Sequence, residues 1–481
     1  MKASELKALG LPNGPGLRLA QETCRALAEG GLAREAISER IAAVVADPQA
    51  SLEDPVLGPL ARWLVAARAW RPGVADAAPQ PADLPPIQAF FPRVGQAPWR
   101  QWGGNLEAGA VDQMRHACEL PVAVRGALMP DAHLGYGLPI GGVLATAGAV
   151  IPYAVGVDIA CRMKLSVLDL PVKTLDQKLD WLTRALESET RFGVGVEFEK
   201  PHNHPVMDQD WNVTGVTRAN RDKAWRQLGT SGSGNHFVEF GELTIGDNDQ
   251  GLAPGQYLAI LSHSGSRGAG AQVCDYYSKL AMKLHPDLPK ELRHLAWLDL
   301  ATQPGQEYWA AMSLMGDYAA ANHACIHRSL VKHLGAKVLL GVENHHNFAW
   351  LEDHDGQQVV VHRKGATPAG VGVMGIIPGS MASPGFLVRG KGQPESLNSA
   401  SHGAGRVMSR KKAHDTFRWA QVRPLLAERK VTVLSAGIDE VPGVYKDIHE
   451  VMAAQDDLVE VLARFDPRLV KMAPAGERAE D

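Results

Sequence analysis

The sequence predicts an α+β fold: one large catalytic domain of mixed β-sheets surrounded by helices, with a small helical extension at the N-terminus. Three observations carry this. Short apolar runs alternate with glycine-rich turns through most of the chain, helical periodicity is confined to a few segments, and strands and helices follow no regular β-α-β rhythm. At 481 residues the chain can bury a large core without a disulfide or metal staple. A hydrophobic share of 45% and a charged share of 21% exclude a disordered chain and a coiled coil. The net charge of −4 predicts no global attraction to nucleic acid or anionic membrane, so any polyanion must be met by a local patch.

Taken in order, residues 1–70 read as a helical accessory region, with Ile37, Ile41 and Val44 spaced along one face. Residues 71–86 hold five prolines in 16 positions, too many for a helix or central strand, and form the expected linker. Residues 87–471 read as one catalytic unit, and 472–481 as a polar tail. Thr174 and Gln177 have the spacing of a capping box before Leu175, Leu179, Leu182 and Leu186. Segments 256–261, 337–340, 359–361 and 431–434 read as strands, and Asp355-Gly356 as a hairpin turn. The longest uncharged stretch, 132–157, is broken by six glycines and two prolines, which predicts buried strands and turns rather than a membrane helix. Five cysteines (Cys24, Cys118, Cys161, Cys274, Cys325), never in a CxxC pair, argue against a disulfide framework or zinc ribbon. With no signal-peptide pattern at the N-terminus, a reducing cytoplasm is the expected setting.

Polar, glycine-rich clusters end many of the apolar runs, which is where a rigid scaffold displays ligating and catalytic groups. Asp158 and Cys161 share one turn, and His236, His263 and His346 each lie in a glycine- or asparagine-rich loop. One thiolate, one carboxylate and three imidazoles suit two borderline divalent ions bridged by sulfur, such as Mn²⁺ or Zn²⁺. Read singly, Cys161 is equally a small buried residue and each histidine a hydrogen-bonded loop or core residue. The stretches GTSGSG, HSGSRG, PGSMAS and HGAGR have the composition of anion-binding nests, and two carry arginines, Arg267 and Arg406, able to grip phosphate; singly, each is also an ordinary turn. Residues 389–418 hold seven Lys/Arg against two Asp/Glu, a local +5 that includes Arg410, Lys411 and Lys412. His402, among small residues in SASHGAGR, has the access needed by a nucleophile for phosphorus or a general base, or is structural.

Together the blocks MPDAHLGYGLPIGG, VGVDIAC, GSGNHFVE, HSGSRG, HHNFA, HRKGATPA, PGSM and SHGAGR resemble, in order, the RtcB family of GTP-dependent RNA ligases, a likeness spanning about 88–471. The resemblance implies that a 2′,3′-cyclic phosphate or 3′-phosphate RNA end is joined to a 5′-hydroxyl end. It assigns guanylylation to His402 and two Mn²⁺, with Zn²⁺ or Co²⁺ as substitutes, to Asp158, Cys161, His236, His263 and His346. Guanine-nucleotide contacts fall on Asn235, Phe237, Glu239, Ser380, Gly403, Ala404, Tyr445 and Lys471. Arg267, Arg406, Arg410, Lys411 and Lys412 are expected to meet RNA or the transferred phosphate. An archease-like activator is the implied protein partner, and no membrane is involved. Ala160 and Arg162 stand beside Cys161 where the family commonly has glycines, and Gly385 where a second serine is expected after Ser380. The competing reading is a binuclear metal phosphoesterase acting on RNA ends without productive nucleotide transfer.

Overall fold

The computed structural model describes residues 95–246 and 251–477, together with 15–52 and scattered positions between 5 and 64 and at 93. The expected linker at 71–86 lies outside the described residues. By contacts the chain divides into two compact units, Met1–Leu84 with Met207–Trp211, and Pro85–Val206 with Asn212–Asp481. In the first, the helices Pro15–Glu29 and Arg34–Ala46 share an apolar cluster in which Ile37, Ile41 and Val44 are buried together with Leu27 and Leu60.

The second unit is built on two mixed sheets. One orders the strands Trp99–Gln101, Ala123–His133, Ile140–Thr146, Gln357–Lys364 and Asn347–His354. The larger runs Met374–Ile377, Gly385–Gly390, Val459–Met472, Phe237–Ile245, Gly255–Ser264, Arg162–Leu168 and Val338–His345, with Thr432–Ser435 added in parallel to Val459–Met472. Helices pack on its back, among them the 31-residue Gln303–His333, whose buried stripe is rich in Ala, Gly, Met and Tyr. This is the α+β class the sequence predicts. The stretch 132–157 is strand and turn, burying Val143, Leu144 and Ala145, except for one helical turn, Pro152–Val155.

Asp355 and Gly356 both take positive φ, 56° and 76°, and join Asn347–His354 to Gln357–Lys364 as the expected hairpin. The expected capping box is corrected. Thr174 lies inside a one-turn helix, Thr174–Gln177, without a cap bond, and the chain breaks at Lys178 (φ −134°) before Leu179–Glu189 begins. Burial explains the difference, since Thr174 and Leu175 are both turned inward. A reciprocal cap does occur at Thr214 and Thr217, opening Gly215–Gln227.

Candidate active site

Strand register assembles the site. Phe237 and Met163 both pair with His263, and Arg162 pairs with His345, so three antiparallel pairings are level with one another. His236 immediately precedes the first strand, Cys161 precedes the second, and His346 follows the third. Residues far apart in sequence therefore emerge at one end of four neighbouring strands. Cys161 Sγ lies 3.0 Å from His263 Nε2 and 3.4 Å from His236 Nε2, and His263 Nε2 lies 3.1 Å from His346 Nε2. Asp158 Oδ2 is 3.1 Å from His236 Nε2 yet buried without a hydrogen bond. Two ligand groups result, Cys161–His263–His346 and Asp158–Cys161–His236, each with donor atoms within 4.8 Å of one another and sharing the thiol.

The donors are prepared for cations. Burial, with the charge of His236 adding to it, drives His263 down to about 3, and burial first also holds His346 well below the ordinary range; both imidazoles are neutral. Burial pushes the Asp158 carboxyl upward, but its contacts with His236 and Cys161 and the nearby Arg267 outweigh it and hold it below the ordinary range. Nδ1 of His236 faces Ser231 O at 2.7 Å, and Nδ1 of His263 faces Asn235 O at 3.2 Å. Carbonyls accept only, so both rings carry their proton on Nδ1 and turn the Nε2 lone pair inward. The Nε2 lone pair of His263, 3.1 Å from His346 Nε2, together with the buried Asp158 Oδ2, is an arrangement that bound divalent cations would relieve. Gly265 is required here, because a Cβ would sit 2.0 Å from an Asp158 carboxylate oxygen. Ala160 holds φ +58°, the left-handed region that glycine favours.

His402 is half-buried at the edge of this set, its ring centroid 4.9 Å from that of His346. Its Nδ1 lies 2.7 Å from Asp131 Oδ2, which also accepts from the backbone N–H of His402 at 3.1 Å and of Gly403 at 3.3 Å. Burial pushes the Asp131 carboxyl up, but the His402 hydrogen bond and the nearby charges of His402 and Lys446 bring it below the ordinary range. By accepting from Nδ1, Asp131 selects the tautomer in which the neutral His402 ring carries its lone pair on Nε2. Gly405, at φ +72°, allows the loop to approach, since a Cβ there would come within 2.0 Å of Asp131 O. Asp131 was not singled out from the sequence; the MPDAH block was visible, but only the fold reveals which histidine its carboxylate serves.

A pocket beside the site is lined by Asn235, Phe237, Glu239, Ser380 and Tyr445, five of the eight expected nucleotide residues, with Ser383, Glu440, Val470 and Met472. Gly403 and Ala404 are not among its lining. Neither is Lys471: strand alternation turns Val470 and Met472 inward, while the Lys471 ammonium donates to Leu186 O at 3.0 Å. Ser383 Oγ, 2.8 Å from Ser380 Oγ, supplies the second hydroxyl that the sequence led us to seek at 385. Glu239 is buried, and burial raises its carboxyl well above the usual range.

Three arginines are placed otherwise than expected. Arg267 is buried, donating to Thr230 Oγ1 and Gly193 O. Arg406 donates to Asp439 O at 2.9 Å, pairs with Glu440 and sits over the Tyr445 ring. Arg410 is paired with Asp439 at 2.8 Å and with Glu440. Glu440, which also accepts from the Tyr445 hydroxyl, competes for the guanidinium groups that composition alone assigned to phosphate. Lys411 and Lys412 are exposed.

A buried set of thiol, carboxylate and imidazole donors, able to hold metal ions, opens on a histidine held by a carboxylate. Comparison with known proteins makes this specific. A family model described as "tRNA-splicing ligase RtcB" matches residues 113–214 and 202–472. The chain is 36% identical to the RNA-splicing ligase RtcB of Escherichia coli (strain K12), over 76% of this chain and 95% of that protein. It is 31% identical to the tRNA-splicing ligase RtcB of Nanoarchaeum equitans, over 74% and 90%, and 32% identical to the RNA-splicing ligase RtcB of Mycobacterium bovis, over 74% and 98%. The chain belongs to the RtcB family of RNA-splicing ligases.

Proposed function

We propose that this RNA ligase joins a 2′,3′-cyclic phosphate or 3′-phosphate RNA end to a 5′-hydroxyl end at the expense of GTP, through a guanylylated His402. The single observation that carries the reading is the Asp131–His402 contact at the rim of the five-residue donor set: a histidine whose Nδ1–H is held by a carboxylate presents Nε2 as a nucleophile would, which supports this role over that of a core residue. Asp158, Cys161, His236, His263 and His346 hold two Mn²⁺ in this proposal, with Cys161 shared. Bound cations supply charge neutralisation for phosphates. His402 Nε2 attacks the α-phosphorus of GTP, the N–P bond forms and pyrophosphate leaves. An oxygen of the RNA 3′-phosphate then displaces His402, and the 5′-hydroxyl oxygen displaces GMP. A cyclic phosphate is first opened by water to the 3′-phosphate.

Guanine lies in the pocket of Asn235, Phe237, Glu239, Ser380 and Tyr445, with Glu239 accepting from the N1 and N2 donors that adenine lacks. Gly403, Ala404 and Lys471 belong to this nucleotide site through the family resemblance alone. Lys411 and Lys412 meet RNA phosphates; Arg406 and Arg410 instead brace Glu440 and Tyr445. Residues 1–70 form an accessory region and 87–471 the catalytic domain in this proposal, but the polar tail expected from 472 begins later, because Met472 closes the strand Val459–Met472, lines the pocket and is buried with Ala473. A cytoplasmic setting and an archease-like activator complete the proposal; among the described residues no helix is long and apolar enough to cross a membrane. The test is end joining with a cyclic-phosphate RNA, a 5′-hydroxyl RNA, GTP and Mn²⁺. Ligated product that disappears in His402→Ala supports the reading. Opening of the cyclic phosphate with no GTP consumed and no product would favour the phosphoesterase instead.

A further inference from the structure

The long helix Gln303–His333 buries Asn322 completely, far in sequence from every ligand. Asn322 Oδ1 accepts from Gly229 N–H at 2.6 Å, which fixes the amide orientation. Nδ2 then donates to Thr230 O at 2.8 Å and to Ser264 Oγ at 3.1 Å. The Ser264 hydroxyl donates onward to Ser231 O at 3.1 Å, the carbonyl that takes the Nδ1 proton of His236. The next residue of the helix, His323, donates from Nε2 to Ser264 O at 3.0 Å. One amide thus ties the loop before His236 to the chain just after His263. It reaches His236 through three hydrogen bonds without touching a ligand atom.

We infer that Asn322 is a positioning residue for the ligand set, holding the 229–231 loop against Ser264 so that His236 keeps its Nδ1 proton and presents Nε2. The inference rests on the metal-site reading above. Asn322→Asp is nearly isosteric and keeps the acceptor for Gly229, but it replaces both donors with an oxygen facing Thr230 O. Outer partners of metal-bound histidines are typically worth about 10- to 100-fold in metal affinity, which sets the expected loss. His327 on the same helix is equally buried, against Ser166 and Ser262 on the strands. Among the described residues it makes no hydrogen bond to the 229–231 loop, so His327→Asn serves as a packing control.

The experiment is titration of the metal-free full chain with Mn²⁺, and with Co²⁺ followed by its thiolate absorption band, beside hydrogen exchange of segment 229–236. Asn322→Asp should weaken both ions about 10- to 100-fold and speed exchange in 229–236. His327→Asn should hold affinity within about threefold, even where it lowers the melting temperature. Should Asn322→Asp not fold, Asn322→Ser is read in the same way. Wild-type affinity and exchange in the Asn322 variant overturn the inference, as does an equal loss in His327→Asn. Failure of the wild-type chain to bind either ion overturns the underlying site reading instead.

Discussion

Replacing Asp131 with Asn separates the nucleophile from the metal set. In the wild-type chain a buried ionised carboxylate receives the Nδ1 proton of His402 at 2.7 Å and two backbone N–H groups at 3.1 and 3.3 Å. All three donors meet the same oxygen, Oδ2, so an Asn that keeps its oxygen there retains the contacts but supplies no charge to hold the Nδ1–H tautomer, and one that turns its NH₂ there loses all three. The loss is one hydrogen bond to a charged group, about 1.5–3 kcal/mol. At about 1.36 kcal/mol per decade this lowers the rate of His402 guanylylation about 10- to 150-fold. Single-turnover transfer of labelled GMP to the protein, at saturating GTP and Mn²⁺, measures it directly. Asp131 is outside the five-residue ligand set, so bound Mn²⁺ per chain should not change. Label transfer within twofold of wild type at unchanged metal content would refute the tautomer argument; loss of metal as well would show that Asp131 supports the fold of the centre instead.

Cys161→Ser should lower bound metal and abolish label transfer together, because one thiol serves both ligand groups; retention of both metals, read by elemental analysis, would return Cys161 to the core. Glu239 has a folded pKa above its ordinary 4.5, so its contribution to the stability of the empty chain is fully present below about that pH and is lost as pH rises through the folded value. Glu239→Gln should therefore flatten the pH dependence of stability above 4.5 in chemical denaturation, and raise the GTP requirement about 10- to 100-fold by mispairing guanine; parallel stability profiles would contradict the first half, and unchanged GTP affinity the second. Lys411→Ala with Lys412→Ala should weaken RNA binding and reduce the salt slope by about 1.4 for two single-strand phosphate contacts, leaving guanylylation intact, whereas Arg410→Ala should impair the nucleotide step by loosening Glu440. Identical effects of the two changes would dissolve the division. Ala160→Gly should keep metal and activity because the residue already sits at φ +58°, while Ala160→Val, β-branched in the left-handed region, should lose metal binding in the same titration.

The fold class was legible because it depends on local pattern, apolar runs ended by glycine-rich loops; the five candidate donors could be named at those ends, but their convergence depends on strand register that spacing does not encode. The Asp355-Gly356 turn was legible for the same reason, as two positive φ values need those residues. Asp131 and Glu440 were not. Their significance lies in which partner a lone acid reaches across hundreds of residues, and nothing in MPDAH or IDEVPG encodes that His402 or Tyr445 is waiting. The charge run 389–418 misled in part, because net charge counts Arg406 and Arg410 without the Asp439 and Glu440 that neutralise them from another segment. Lys471 shows a further limit, since a one-residue step along a strand decides which face a side chain takes. Thr174 shows that a capping pattern yields where burial turns the same side chain inward.

Incubation of the chain with labelled GTP and Mn²⁺, followed by mass spectrometric mapping, tests the central claim most directly. A GMP adduct on His402, labile in acid and stable in alkali as a phosphoramidate is, and absent from His402→Ala, is the result predicted. An adduct on another residue, or none while Mn²⁺ is bound, would contradict it.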